Sequence, residues 1–215
     1  MTQRTATILK TYFNTGDKPT ETNFGDMLES YLNHEDGGTV TGAVALNTTA
    51  RMAAGTGITG ATGELYLSSV ITIGDIIYTD ILIDLTGLNG ASTAGDILGK
   101  DGGTANCHIG QVTAAVNGTI IGGTITCLEL PVGGNVDIDL WYGDNATGAH
   151  DAAVTTLTNQ VQVTNSGNFA IGTVVAFTTG VAPAADKYMY LVSGSATDAD
   201  YTAGRLLIKM WGYAA

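Results

Sequence analysis

The residues whose types and spacing could do chemistry are few. Asp137 and Asp139 alternate along one predicted strand, so both carboxylates fall on the same face, about 7 Å apart. Asp144 and Asn145 follow within reach. Oxygen clusters of this kind hold hard cations such as Ca²⁺. The fixed ligand spacing of a calcium loop is missing, however, and the competing expectation is a pair of solvated strand-face carboxylates. Asp198 and Asp200 read first as a turn.

The histidines are His34, His108 and His150. Cys107 and His108 offer two metal-ligand types, but neighbours on a strand point to opposite faces, and there are too few other Cys and His for a zinc site. His150 and Asp151 lack a serine on a strained turn, since no G-x-S-x-G occurs. No P-loop is present, and no G-x-G-x-x-G stands after a strand and before a helix. The Gly-Thr run at 55–63 lacks the lysine and the following helix that phosphate cradling needs. The sequence predicts no catalytic residue, no cofactor and no metal.

Aromatic groups are the remaining candidates. Trp141 and Tyr142 end one predicted strand, and Trp211 and Tyr213 lie near the end of the chain. Alternation turns Trp141 away from Val136, Ile138 and Leu140, toward a core rim, a subunit interface or a sugar-stacking platform. Cys107 and Cys127 are expected as small buried hydrophobes, with a bridge between neighbouring strands as the alternative.

The elements that position these groups begin with an amphipathic helix over Pro19–Gly38. Phe24, Met27, Leu28, Tyr31 and Leu32 recur on one helical face. Thr20 is its predicted N-cap, and Gly37 and Gly38 its stop. A shorter helical turn is expected around Ile8–Phe13. Helices this short are marginal alone and need a partner surface.

From Thr39 the texture becomes Gly/Thr/Ala-rich, and residues 39–64 read as an extended linker. A β body over 65–215 follows. Its predicted strands are Ile76–Leu85, Asp96–Leu98, Cys107–Val116, Thr119–Leu130 with a bend at Gly122 and Gly123, Val136–Tyr142, Gln160–Thr164, Thr173–Thr178, Lys187–Ser193 and Arg205–Trp211. A brief helix is expected at Asp151–Leu157. The fold class is therefore mainly β: an antiparallel β-sandwich, jelly-roll-like, behind a short N-terminal helical segment at 1–38.

Charge narrows the partners. The chain of 215 residues carries a formal net charge of −12, with only Arg51 and Lys100 as bases between Lys18 and Lys187. A nucleic-acid binder needs a cationic stripe, and an anionic membrane would repel this chain. No apolar run is long enough for a membrane-spanning helix, and no signal core opens the sequence. Synthesis in the cytoplasm is expected.

The segment ILKTYFNTGDKPTETNFGDMLESYLN, followed by DGGTVTGAVAL, resembles an N-terminal element of structural proteins from tailed bacteriophages. The match runs from Ile8 to about Leu46. The body, with IGQVTAAVNGTIIGGTITCLELPVGG and YTAGRLLIKMWG, is similar to phage virion proteins. The resemblance implies a non-enzymatic virion component that decorates or cements the capsid. Such components are commonly trimeric, so a homotrimer touching the major capsid protein is expected. From their helical face and strand-end positions, Phe24, Met27, Leu28, Tyr31, Leu32, Trp141 and Trp211 are the expected interface residues. The alternative is a tail or head fibre binding host glycans. No catalytic residues come with the resemblance.

Overall fold

The computed structural model describes residues 6–12, 14, 16, 18–30, 51–59, 66–103 and 105–214. The chain divides into two compact units, Met1–Asn47 and Thr48–Ala215.

The first unit holds α1 (Ala6–Thr11) and α2 (Glu21–Ser30). Thr20 starts α2 by reciprocal capping. The Asn23 N–H donates to Thr20 Oγ1 at 3.3 Å, and the Thr20 N–H donates to Asn23 Oδ1 at 2.8 Å. Phe24 is 46% exposed, whereas Asp26 is buried and accepts from the Tyr12 hydroxyl at 3.3 Å. Met27 and Leu28 lie within α2. Tyr31, Leu32 and the predicted stop at Gly37 and Gly38 fall outside the described residues.

The second unit is built of antiparallel strands. It runs through α3 (Thr56–Thr59), β1 (Tyr66–Ile73), β2 (Ile76–Asp84), β3 (Gly110–Gln111), α4 (Ala114–Asn117), β4 (Thr119–Val132) and β5 (Ile138–Gly143). A 3₁₀ turn at Val154–Thr156 precedes β6 (Val161–Gln162), β7 (Val174–Ala176), β8 (Tyr188–Ser193) and β9 (Ala203–Tyr213). One sheet has the order β1-β2-β9-β4-β7 and the other β3-β8-β5-β6. The fold is mainly β and sandwich-like, as the period-2 patterns predict.

Alternation explains the layers. In β9, Leu206, Ile208 and Met210 are buried, and Arg205, Lys209 and Tyr213 are exposed. In β2, Ile77, Ile81 and Ile83 point inward. A single buried cluster joins Ile81, Ile83, Leu206, Ile208 and Met210 to Ile138, Leu140, Met189 and Leu191 from the other sheet. The two inner faces thus share one core.

Three expectations need correction. The predicted strand Cys107–Val116 shrinks to Gly110–Gln111, because Thr113 caps a helical turn instead: its Oγ1 accepts from the Val116 N–H at 3.3 Å. Residues 51–59, read as part of a linker, dock on the body. Met52 and Ile58 join the core, and the Gly55 N–H donates to the His108 carbonyl at 2.8 Å. Small residues here permit close backbone approach rather than pliability. The carboxylate of Asp139, expected in solvent, is buried.

The bend expected at Gly122 and Gly123 appears as a register shift between Ile120 and Gly122. On the outer face of the five-stranded sheet the strand registers align side chains into cross-strand rows. One row is Leu67, Leu82, Leu207 and Thr126; the next is Ser69, Asp80, Lys209 and Thr124. Beyond them come Ile71, Tyr78, Trp211 and Gly122, then Ile73, Ile76, Tyr213 and Thr119.

Candidate functional site

Of the acidic pair, Asp139 lies in β5, and Asp137 sits just before it, in an isolated bridge to Asn168. Asp139 accepts from the Ser166 N–H at 2.6 Å and from Gln162 Nε2 at 2.8 Å, so the chain after β6 folds over it. Burial pushes its carboxyl above the usual range, and the neighbouring Asp137 charge adds to that, against the pull of the Ser166 bond. Asp137 leaves one buried oxygen unpartnered among the described residues. The two acids are two positions apart along one stretch of chain, not across a cleft, as paired general acid and base would be. The described residues hold no group of three or more His, Cys, Asp or Glu able to bind a metal.

The structure brings Ser92, Asp151 and His150 together, which sequence distance hides, but in the wrong order for a triad. The Ser92 hydroxyl donates to Asp151 Oδ1 at 2.9 Å, and His150 Nε2 meets the Gly90 carbonyl at 3.1 Å. A nucleophilic serine must bond to the histidine. Here the Ser92 hydroxyl is held by the carboxylate instead, in a loop clasp. His108 packs edge-on against Tyr188 at 5.0 Å, and burial holds its pKa down. Cys107 and Cys127 are buried and not joined in a disulfide, and burial pushes the Cys107 thiol up to about 12. Both are inert small hydrophobes at neutral pH.

The tryptophans part company. Trp141 lies across from Tyr190 and Gln162 and is packed against the core. Its indole nitrogen is buried, which suits a core rim and not an open sugar platform. Trp211 sits on the outer sheet face, between Tyr78 and Gly122. It also lines a groove of about 450 Å³ with Phe177, Ile121 and Thr179.

The outer face itself is the feature of the body that stands out chemically. Leu67, Ile71, Ile73, Tyr78 and Tyr213 are each 43–65% exposed. The charges among them are matched across strands: Lys209 Nζ lies 2.9 Å from Asp80, and Arg205 Nε lies 3.0 Å from Asp84 and 3.4 Å from Glu129. On a chain of net charge −12 this is a nearly charge-balanced apolar surface, with three carboxylates against two bases. The signal was present in IIY and LLIKMWGY, where outward positions beside the buried ones carry Tyr78, Leu207, Trp211 and Tyr213, and in ITI, whose isoleucines are exposed.

Among the described residues no helix is long and apolar enough to cross a membrane. Comparison with family models, curated proteins and solved structures finds no match to this chain.

Proposed function

We propose that the chain is a non-enzymatic structural subunit of a tailed-phage particle, decorating or cementing the capsid through contacts with its own copies and with the major capsid protein. The observation that carries this reading is the apolar outer face of the five-stranded sheet. Extended apolar patches beyond a few hundred Å² mark protein contacts. The phage-like N-terminal segment supplies the particle, and Phe24, Met27, Leu28, Tyr31 and Leu32 are its proposed capsid contacts.

Strand order adds support by analogy. With β1 set aside, the sheets run β2-β9-β4-β7 and β3-β8-β5-β6, which we read as jelly-roll order, an architecture used by viral capsid and lectin domains. Such analogy concerns architecture and does not by itself assign function. The test is removal of the chain from the particles that carry it, with purified protein added back. Particles lacking it should assemble but break at lower temperature, and added protein should restore them. Unchanged heat resistance would contradict the reading.

A second reading, a fibre protein binding host glycans, draws on the Trp211–Phe177 groove. Glycan-array binding lost on Trp211→Ala would favour it over the cement role.

A further inference from the structure

We infer that the outer face of the five-stranded sheet is covered by the same face of a second copy of this chain, about a two-fold axis running along the strands between β2 and β9. The inference rests on the assembly reading above and names the occupant of its surface.

The argument is self-complementarity. An axis in that position keeps each cross-strand row opposite itself while exchanging β2 with β9 and β1 with β4. In the charged row, Asp80 of one copy then faces Lys209 of the other. These two groups are already 2.9 Å apart within one chain, so the contact becomes a closed square of alternating charge. In the aromatic row, Tyr78 faces Trp211, and in the leucine row Leu82 faces Leu207.

Size matching follows the same exchange. The large residues of β1 are Leu67, Ile71 and Ile73, each more than half exposed. The β4 positions at the same levels are Thr126, Gly122 and Thr119. At the Thr126 and Thr119 levels, large side chains of one copy therefore meet small ones of the other, as interdigitating layers require. At the Gly122 level the Trp211 indole already lies over the glycine, so Ile71 packs on that ring.

Area and charge agree. The nine residues of β2 span about 30 Å, and the four strands that overlap about this axis span about 19 Å, giving a flat footprint of about 570 Å² before side-chain relief. A standard interface takes about 800 Å² from each partner. Elsewhere the acidity of the chain opposes self-association, whereas here the ion pairs nearly neutralise the face. A two-fold contact gives even-numbered assemblies, unlike the trimer that the phage resemblance implies.

The test is the molar mass of the full chain by sedimentation and light scattering across a concentration series. The expected result is a species of twice 22.0 kDa. Leu207→Glu should weaken it about 100-fold, since a carboxylate would be buried against Leu82 of the second copy. Circular dichroism checks that the variant is folded. Carbodiimide coupling of mixed isotope-labelled and unlabelled protein should yield Asp80–Lys209 links between copies. A monomer at every concentration, a trimer, or a folded Leu207→Glu variant with undiminished dimerisation would each overturn the inference. Dimers through this face, with no effect of the chain on particles, would instead leave the inference standing and remove the proposed capsid role.

Discussion

Gly122 lies beneath the indole of Trp211. A Cβ at position 122 would come within 2.7 Å of the ring nitrogen, so the absence of a side chain is what lets the tryptophan lie across β4. Gly122→Ala should lift the ring and cost about 1–3 kcal/mol. Gly123→Ala should cost more, because its Cβ would also meet the Lys209 carbonyl oxygen at 2.6 Å, and backbone yields less than a side chain. Urea unfolding midpoints of the two variants measure the difference.

Asn117 ties α4 to the sheet. Wholly buried, it accepts from the Thr113 N–H at 2.9 Å and donates to Thr79 Oγ1 at 3.0 Å. Thr79→Val should strand the amide donor and cost about 1–3 kcal/mol. Asn117→Ala should cost at least as much. Because both remove the same bond, the double variant should lose less than the sum. A sum that is strictly additive would deny the coupling.

Two carboxylates should shape the acid limb of stability with opposite signs. Asp139 is held above the usual range, so its folded form keeps the proton more tightly than the unfolded chain does. Its contribution is greatest below the unfolded value near about 4 and declines as pH rises through the raised folded value. For Asp84, burial pushes upward, but the Thr86 and Arg205 bonds together bring the carboxyl below its usual value. That contribution is present above the unfolded value and is lost as pH falls through the folded one. Asp139→Asn should match or exceed the wild type at pH 7. Asp84→Asn should lose about 1 kcal/mol or less there, since Arg205 is half exposed, with the gap closing as pH falls through the lowered folded value. Unfolding midpoints from pH 3 to 8 decide both signs.

Salt should strengthen self-association. Each chain carries −12 overall, while the proposed contact face is nearly balanced by its own ion pairs. Screening over about 10 Å at 0.1 M salt relieves repulsion between bodies more than it weakens close pairs. The dimer should tighten several-fold between low and moderate salt. Weakening instead would point to a contact held by opposite charge.

Much of the layer structure is legible in the sequence because alternation encodes it. Ile77, Ile81 and Ile83 against Asp80 and Asp84 reveal which face of β2 is core, and Leu206, Ile208 and Met210 do the same for β9. What alternation cannot reveal is cover from distant chain. Asp139 looks solvated until Gln162 and Ser166 fold over it. The Gly-rich residues 51–59 look pliable until Met52 and Ile58 enter the core. Cross-strand rows are equally hidden, since Tyr78, Trp211 and Gly122 become neighbours only through the register of β2, β9 and β4. The tryptophans illustrate both limits: side-chain parity put Trp141 outward, yet packing buried its ring nitrogen.

The most direct test of the structural-subunit account is the copy number of this chain in purified particles, counted by quantitative mass spectrometry against the major capsid protein. A decoration or cement protein predicts numbers of the same order as the capsid protein. Absence from the particle, or only a handful of copies, would contradict it.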